Sequence, residues 1–118
     1  MRLGPIVVAL AVLWPMAEAT AATERGTASI YADHFDGRRT ASGEVFRQSA
    51  TTAAHRRLPF GSKIKVTNLR NGRSVVVTVN DRGPHGNKKR VLDLSKAAAR
   101  QLALAGTEQV EVEVVKTR

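Results

Sequence analysis

Two runs that alternate polar and apolar residues, Lys63–Asn68 (KIKVTN) and Ser74–Asn80 (SVVVTVN), lie either side of Asn71-Gly72. Alternation of period two sends the apolar side chains to one face, so each run predicts a half-buried strand. Asn and Gly both tolerate positive φ, as the tight turns between antiparallel strands require, so this stretch predicts a β-hairpin. Gln109–Val115 (QVEVEVV) alternates in the same way. Residues 26–32 (GTASIYA), Thr51–Ala54 and Arg90–Leu94 predict three further short strands. Ser95 is a good N-cap for a helix over Lys96–Ala105, with Gly106 where a C′ glycine belongs and Ala98, Leu102 and Ala105 on one face. Six short strands and one helix predict a small, mainly β barrel.

The first residues read differently. Arg2 precedes an apolar run, Ile6–Trp14, that is too short to span a bilayer and is broken by Pro15. Ala17-Glu18-Ala19 and Ala19-Thr20-Ala21 both fit an A-x-A cleavage site. That order predicts a secretory signal peptide over residues 1–21, cut after Ala19 or Ala21, and one domain over residues 22–118. Removing the leader takes one base and one acid, Arg2 and Glu18, so the net charge stays +9. With no cysteine in the chain there is no disulfide framework, thiolate metal site, cysteine nucleophile or acylation site, so no stable membrane anchor is expected. A basic exported domain seeks anionic envelope polymers. Nucleic acid is not the expected partner: beyond the leader, Tyr31, Phe35, Phe46 and Phe60 are the only aromatics, few for stacking bases.

Three constellations carry candidate chemistry. The polar, glycine-bearing loop over residues 33–44 ends at Glu44, beside Gly43. Such an acid suits a glycan cleft, and it equally suits a solvated turn. Asn80-Asp81-Arg82-Gly83-Pro84 puts a carboxylate at the end of the most apolar strand. Desolvation there favours a general acid, pairing with Arg82 opposes it, and an Asx-type turn is the plain reading. His55 is placed either to orient a carboxylate or sugar hydroxyl, or to make an ordinary hydrogen bond. The histidines at 34, 55 and 85 lack metal-ligand spacing, and neither a G-x-S-x-G elbow nor a nucleotide-binding fingerprint occurs.

In their order along the chain these blocks resemble one family. Gly26–Tyr31 with Phe35–Glu44, Thr52–His55 with Leu58–Ser62, Val66–Arg73 with Val79–Pro84, and Val91–Ser95 with Ala97–Ala99 look like the successive signatures of the RlpA-like peptidoglycan transglycosylases. The resemblance spans residues 26–115. It implies a six-stranded double-psi β-barrel with one short α-helix, related in fold to expansins. It implies an endolytic enzyme of the periplasm or cell envelope that cleaves the MurNAc-GlcNAc β-1,4 bond and leaves 1,6-anhydromuramyl ends, in wall remodelling or septation. Glu44, His55 and Asp81 match the family's proposed active-site positions. Asp81 is expected as acid and base, with Glu44 the alternative and His55 holding the carboxylate network or the sugar. Tyr31, Phe35, Thr40, Asn80 and Arg82 are expected to bind substrate. Peptidoglycan strands and cell-division proteins are the implied partners, with no metal or cofactor, and a monomer is expected.

The chain also departs from the family pattern. Ile30-Tyr31-Ala32 stands where Trp-Tyr-Gly is usual, which removes an aromatic for sugar stacking. The polar His85–Lys89 follows Asp-Arg-Gly-Pro where an apolar residue is common, which tilts preference toward acidic groups. The alternative function is a non-catalytic, expansin-like wall-binding module. A secreted inhibitor or effector acting on another organism's wall is a third reading.

Overall fold

The structure is a computed structural model and describes residues 23–117; the predicted leader, residues 1–21, lies outside them. Six strands close a barrel: β1 (Thr23–Ile30), β2 (Thr52–Ala54), β3 (Lys63–Asn68), β4 (Ser74–Asp81), β5 (Arg90–Leu94) and β6 (Glu108–Lys116). Around the barrel the order is β1-β5-β2-β4-β3-β6. The pairs β1–β5 and β2–β4 are parallel and the other four are antiparallel. This is the double-psi β-barrel expected from the sequence, with one short helix, α1 (Lys96–Gln101).

The alternation that predicted the central hairpin sets its register. Ile64 and Val66 pair with Val77 and Val75, and all four turn into the core, while Lys63, Lys65 and Val76 stay outside. Leu92 and Leu94 of β5 and Val110 and Val112 of β6 complete the barrel interior. Each such side chain, fully buried, contributes roughly 1.5–3 kcal/mol. At Gly26 the β1 backbone lies hard against the start of β5. A Cβ there would stand 2.5 Å from Val91 Cγ1 and 2.8 Å from the Lys89 carbonyl oxygen.

Two sequence expectations shift. The first strand runs Thr23–Ile30 rather than 26–32, because antiparallel pairing with β6 begins at Thr23↔Glu113. The helix stops at Gln101, four residues before the predicted end at Ala105, which is exposed. The Ser95 cap is as expected, its side chain accepting from Ala98 N. At the other end the hairpin tip takes the free carbonyls. Asn68 and Asn71 donate to Leu102 O, Arg70 to Ala103 O and Arg73 to Gln101 O. Those donors do what further turns of helix would otherwise do, and Ala103 adopts φ +50°.

Candidate active site

The end of β4 presents Asn80 and Asp81 at the rim of the barrel. Asp81 is held from three sides. Its Oδ1 accepts the backbone N–H groups of Ala41 (2.9 Å) and Arg82 (2.8 Å), and its Oδ2 accepts the Tyr31 hydroxyl (2.6 Å). The loop over residues 36–47 is thereby pinned to the strand end. Tyr31 follows β1, its backbone N–H donating to Leu94 O. Its ring stacks on buried Phe46 at 4.1 Å and meets Phe35 edge-on at 5.7 Å. Burial, reinforced by the Asp81 carboxylate, pushes the Tyr31 phenol well above its usual range. The phenol therefore remains a hydrogen-bond donor at any working pH.

Tyr31, Phe35, Asp81, Arg82, Arg90 and Asp93 all line one open cleft of about 450 Å³. Phe35 is partly exposed there, at 39%, whereas Tyr31 is buried at 8%. Tyr31 thus addresses Asp81 rather than offering its ring face as a sugar platform. Arg82 is drawn two ways, its guanidinium lying 4.1 Å over the Phe60 ring and its Nη1 donating to His55 O.

Glu44 sits at the same end of the barrel but on a neighbouring cleft of about 290 Å³, with Ser42, Phe60 and Asn80. It is exposed, and its Oε1 accepts from Asn80 Nδ2 at 3.2 Å. The turn between Ala41 and Glu44 joins the two acids, and the Arg82–Phe60 pair touches both clefts. Thr40 is used inside that turn: its Oγ1 pairs with Ser42 Oγ and its N–H donates to Glu44 O.

The structure does not bring the His55 ring to Asp81. The ring is buried, and its Nδ1 accepts the backbone N–H groups of Arg57 and Leu58. That leaves the ring hydrogen on Nε2, 3.0 Å from Glu24 Oε1. The carboxylate beside His55 is therefore Glu24 rather than Glu44 or Asp81, in a separate cleft of about 350 Å³. Only the His55 backbone reaches the candidate site, its N–H donating to Asp81 O. The sequence reading did not single out Glu24, nor Asp93, whose Oδ1 accepts from Ser29 and Arg90. Asp93 could have been found, because an acid between two buried leucines must point out of the barrel. Among the described residues, no group of three or more His, Cys, Asp or Glu is arranged to hold a metal ion.

The family model described as "Lytic transglycolase" matches residues 23–114. The chain is 56% identical over 93 residues to the "Probable endolytic peptidoglycan transglycosylase RlpA" of Synechocystis sp., covering 77% of this chain and 29% of that protein. It is 47% identical over 114 residues to the "Endolytic peptidoglycan transglycosylase RlpA" of Pseudomonas aeruginosa, covering 95% of this chain and 33% of that one. The chain thus spans about a third of these relatives' length. The solved structure of an expansin from Clavibacter michiganensis superposes with a TM-score of 0.61 at 22% identity, over 82% of this chain and 52% of that one. At that identity the likeness concerns the fold.

Proposed function

Because the chain belongs to the RlpA-like lytic transglycolase family, we propose that its barrel cleaves the MurNAc-GlcNAc β-1,4 bond of peptidoglycan without water, leaving 1,6-anhydromuramyl ends. The observation that carries this reading is the Tyr31–Asp81 hydrogen bond inside an open cleft. Asp81 Oδ1 is occupied by two backbone donors, so the remaining capacity lies on Oδ2, facing Tyr31. Asp81, protonated on Oδ2, gives its proton to the glycosidic oxygen as the bond from C1 to that oxygen breaks. The carboxylate then takes the proton of the muramic C6 hydroxyl as O6 bonds to C1. No proton is gained or lost over the cycle, so one carboxyl group acts as acid and then as base. Once Oδ2 has released its proton, the phenol donates to it, so the carboxylate charge is compensated at the moment of bond cleavage.

Asp81 suits this role better than Glu44. Glu44 is exposed and held by one contact, and its part is to fix the Asn80 amide. Phe35 and Arg82 line the cleft and contact the sugar, Thr40 shapes the turn that holds Asp81, and His55 acts from behind through its backbone. The substrate places the chain in the cell envelope. Residues 1–21 serve as its export signal, and the barrel works as a monomer alongside the division machinery.

The test is direct. Purified protein is incubated with intact and amidase-stripped sacculi, and the soluble products are read by mass spectrometry. Anhydromuramyl ends are expected from the wild type, and Asp81→Asn should lower their release by at least about a hundredfold, the usual worth of a positioned acid or base. Binding by the wild type without any released sugar would replace the enzyme with a wall-binding module.

A further inference from the structure

Beside Asp81, the same cleft holds a second carboxylate that the proposed reaction does not use. Asp93 is fixed by its neighbours: Ser29 Oγ and Arg90 Nη2 both donate to Oδ1, and Arg90 also donates to Ser29 Oγ. Among the described residues, every hydrogen bond that the Asp93 side chain receives goes to Oδ1, leaving Oδ2 open. Oδ2 points over Gly83. A side chain built on Gly83 would place its Cβ 3.7 Å from Asp93 Oδ2 and 3.5 Å from His85 Nε2. Gly83 has φ +135°, a backbone conformation that favours glycine, so no side chain there stands against the two groups. His85 is exposed and reaches back over the glycine into the Asp81 cleft.

An anchored acceptor and a ring nitrogen thus flank the same stretch of cleft floor beside Gly83. One group suits such a pair: a hydroxyl resting in the cleft above Gly83, which donates to the carboxylate and accepts from the ring N–H. We propose that Asp93 and His85 form a saccharide subsite that grips one sugar hydroxyl beside the bond that Asp81 attacks. This rests on the glycan-cleaving reading for its ligand. Asp93 is then a specificity-determining residue, and the Ser29–Arg90 pair sets the direction of its free oxygen. A glycan whose hydroxyl at that point is substituted would be excluded by size.

The experiment separates this inference from the proposed reaction. Binding of amidase-stripped glycan strands is measured by calorimetry in an Asp81→Asn background, where strands are not consumed. Adding Asp93→Asn or His85→Ala should each weaken binding about tenfold, the worth of one hydrogen bond to a charged group. His85→Gln, which keeps a donor, should recover part of the loss. Asp93→Asn also touches the Ser29–Arg90 pair, so exposed His85 is the deciding site. If His85→Ala binds as the parent does, the subsite is overturned, whatever Asp93→Asn does. If both variants weaken binding while the wild type releases no anhydromuramyl ends, the subsite stands and the reaction falls.

Discussion

At the scale of single residues, the site depends on one phenol. Tyr31 is the only tyrosine of the chain, so absorbance of tyrosinate near 295 nm reports it alone. Its folded-state pKa is raised, first by burial and then by the hydrogen bond and charge of Asp81. The sign follows: the folded state holds the phenolic proton more tightly than the unfolded chain. That contribution to stability is complete below about pH 10, the unfolded value, and is lost as pH rises through the folded value. A spectrophotometric titration should therefore show no tyrosinate near pH 10 until the barrel unfolds. Asp81→Asn should bring the ionisation down, though not to the free value, since burial remains. Ionisation of wild-type Tyr31 at its free value in folded protein would refute the buried contact. Tyr31→Phe should lower turnover about tenfold or more with KM little changed, because a donor to a charged group is lost while the packing on Phe46 is kept. None of this could be read in the sequence. Tyr31 and Asp81 lie 50 residues apart, and the resemblance led to Tyr31 only as a substrate-binding residue. His55 misled in a similar way, since a ring tied to its own turn and to Glu24, 31 residues away, leaves no local pattern.

At the scale of elements, what was legible depended on whether the signal was local. β3, β4, β5 and β6 follow from alternation and turn chemistry and appear within a residue of the predicted bounds. The cap at Ser95 is equally local. The far end of α1 is not, because its carbonyls are claimed by side chains of the β3–β4 turn, and helix periodicity carries no trace of those partners. Nor could alternation announce that β1 and β5 run parallel, although Gly26 marks where they meet. The Gly26 backbone contact makes a prediction. Gly26→Ala drives a methyl group into Val91 and the Lys89 carbonyl, at the point where Thr27 N–H also bonds Lys89 O. A backbone oxygen cannot swing aside as a side chain can, so the substitution should cost about 1–3 kcal/mol. Denaturant melts with an unchanged slope and a lowered midpoint would show it. An unchanged midpoint would mean that β1 and β5 are farther apart than described. Because this contact lies beside β5, Gly26→Ala should also disturb Arg90 and so loosen Asp93.

At the scale of the whole molecule, charge does work that neither the fold nor the cleft explains. The chain carries +9, yet few of its bases are neutralised. Arg25, Arg70, Arg90 and Lys96 pair with Glu111, Glu108, Asp93 and Asp33. Arg38, Arg57, Lys65, Lys88, Lys89 and Arg100 are exposed and make no ion pair among the described residues. Exposed pairs contribute at most about 1 kcal/mol each, so the surplus is not there for stability and must even cost some through self-repulsion. Lys88 and Lys89 lie on the loop that carries His85, and Arg38 on the loop that carries Ala41, so part of the field surrounds the Asp81 cleft. The proposed substrate is an anionic polymer, and such a field should draw it in before any contact forms. Exposed charges are screened beyond about 10 Å at 0.1 M salt, whereas the hydrogen bonds inside the cleft are not. Raising salt from about 0.05 to 0.5 M should therefore raise KM for sacculi steeply while leaving kcat nearly level. Replacing Lys88 and Lys89 with Gln should flatten that salt dependence without changing the melting midpoint. A KM indifferent to salt would mean that the surplus charge serves something other than the glycan, and a falling kcat would place the screened groups inside the reaction itself.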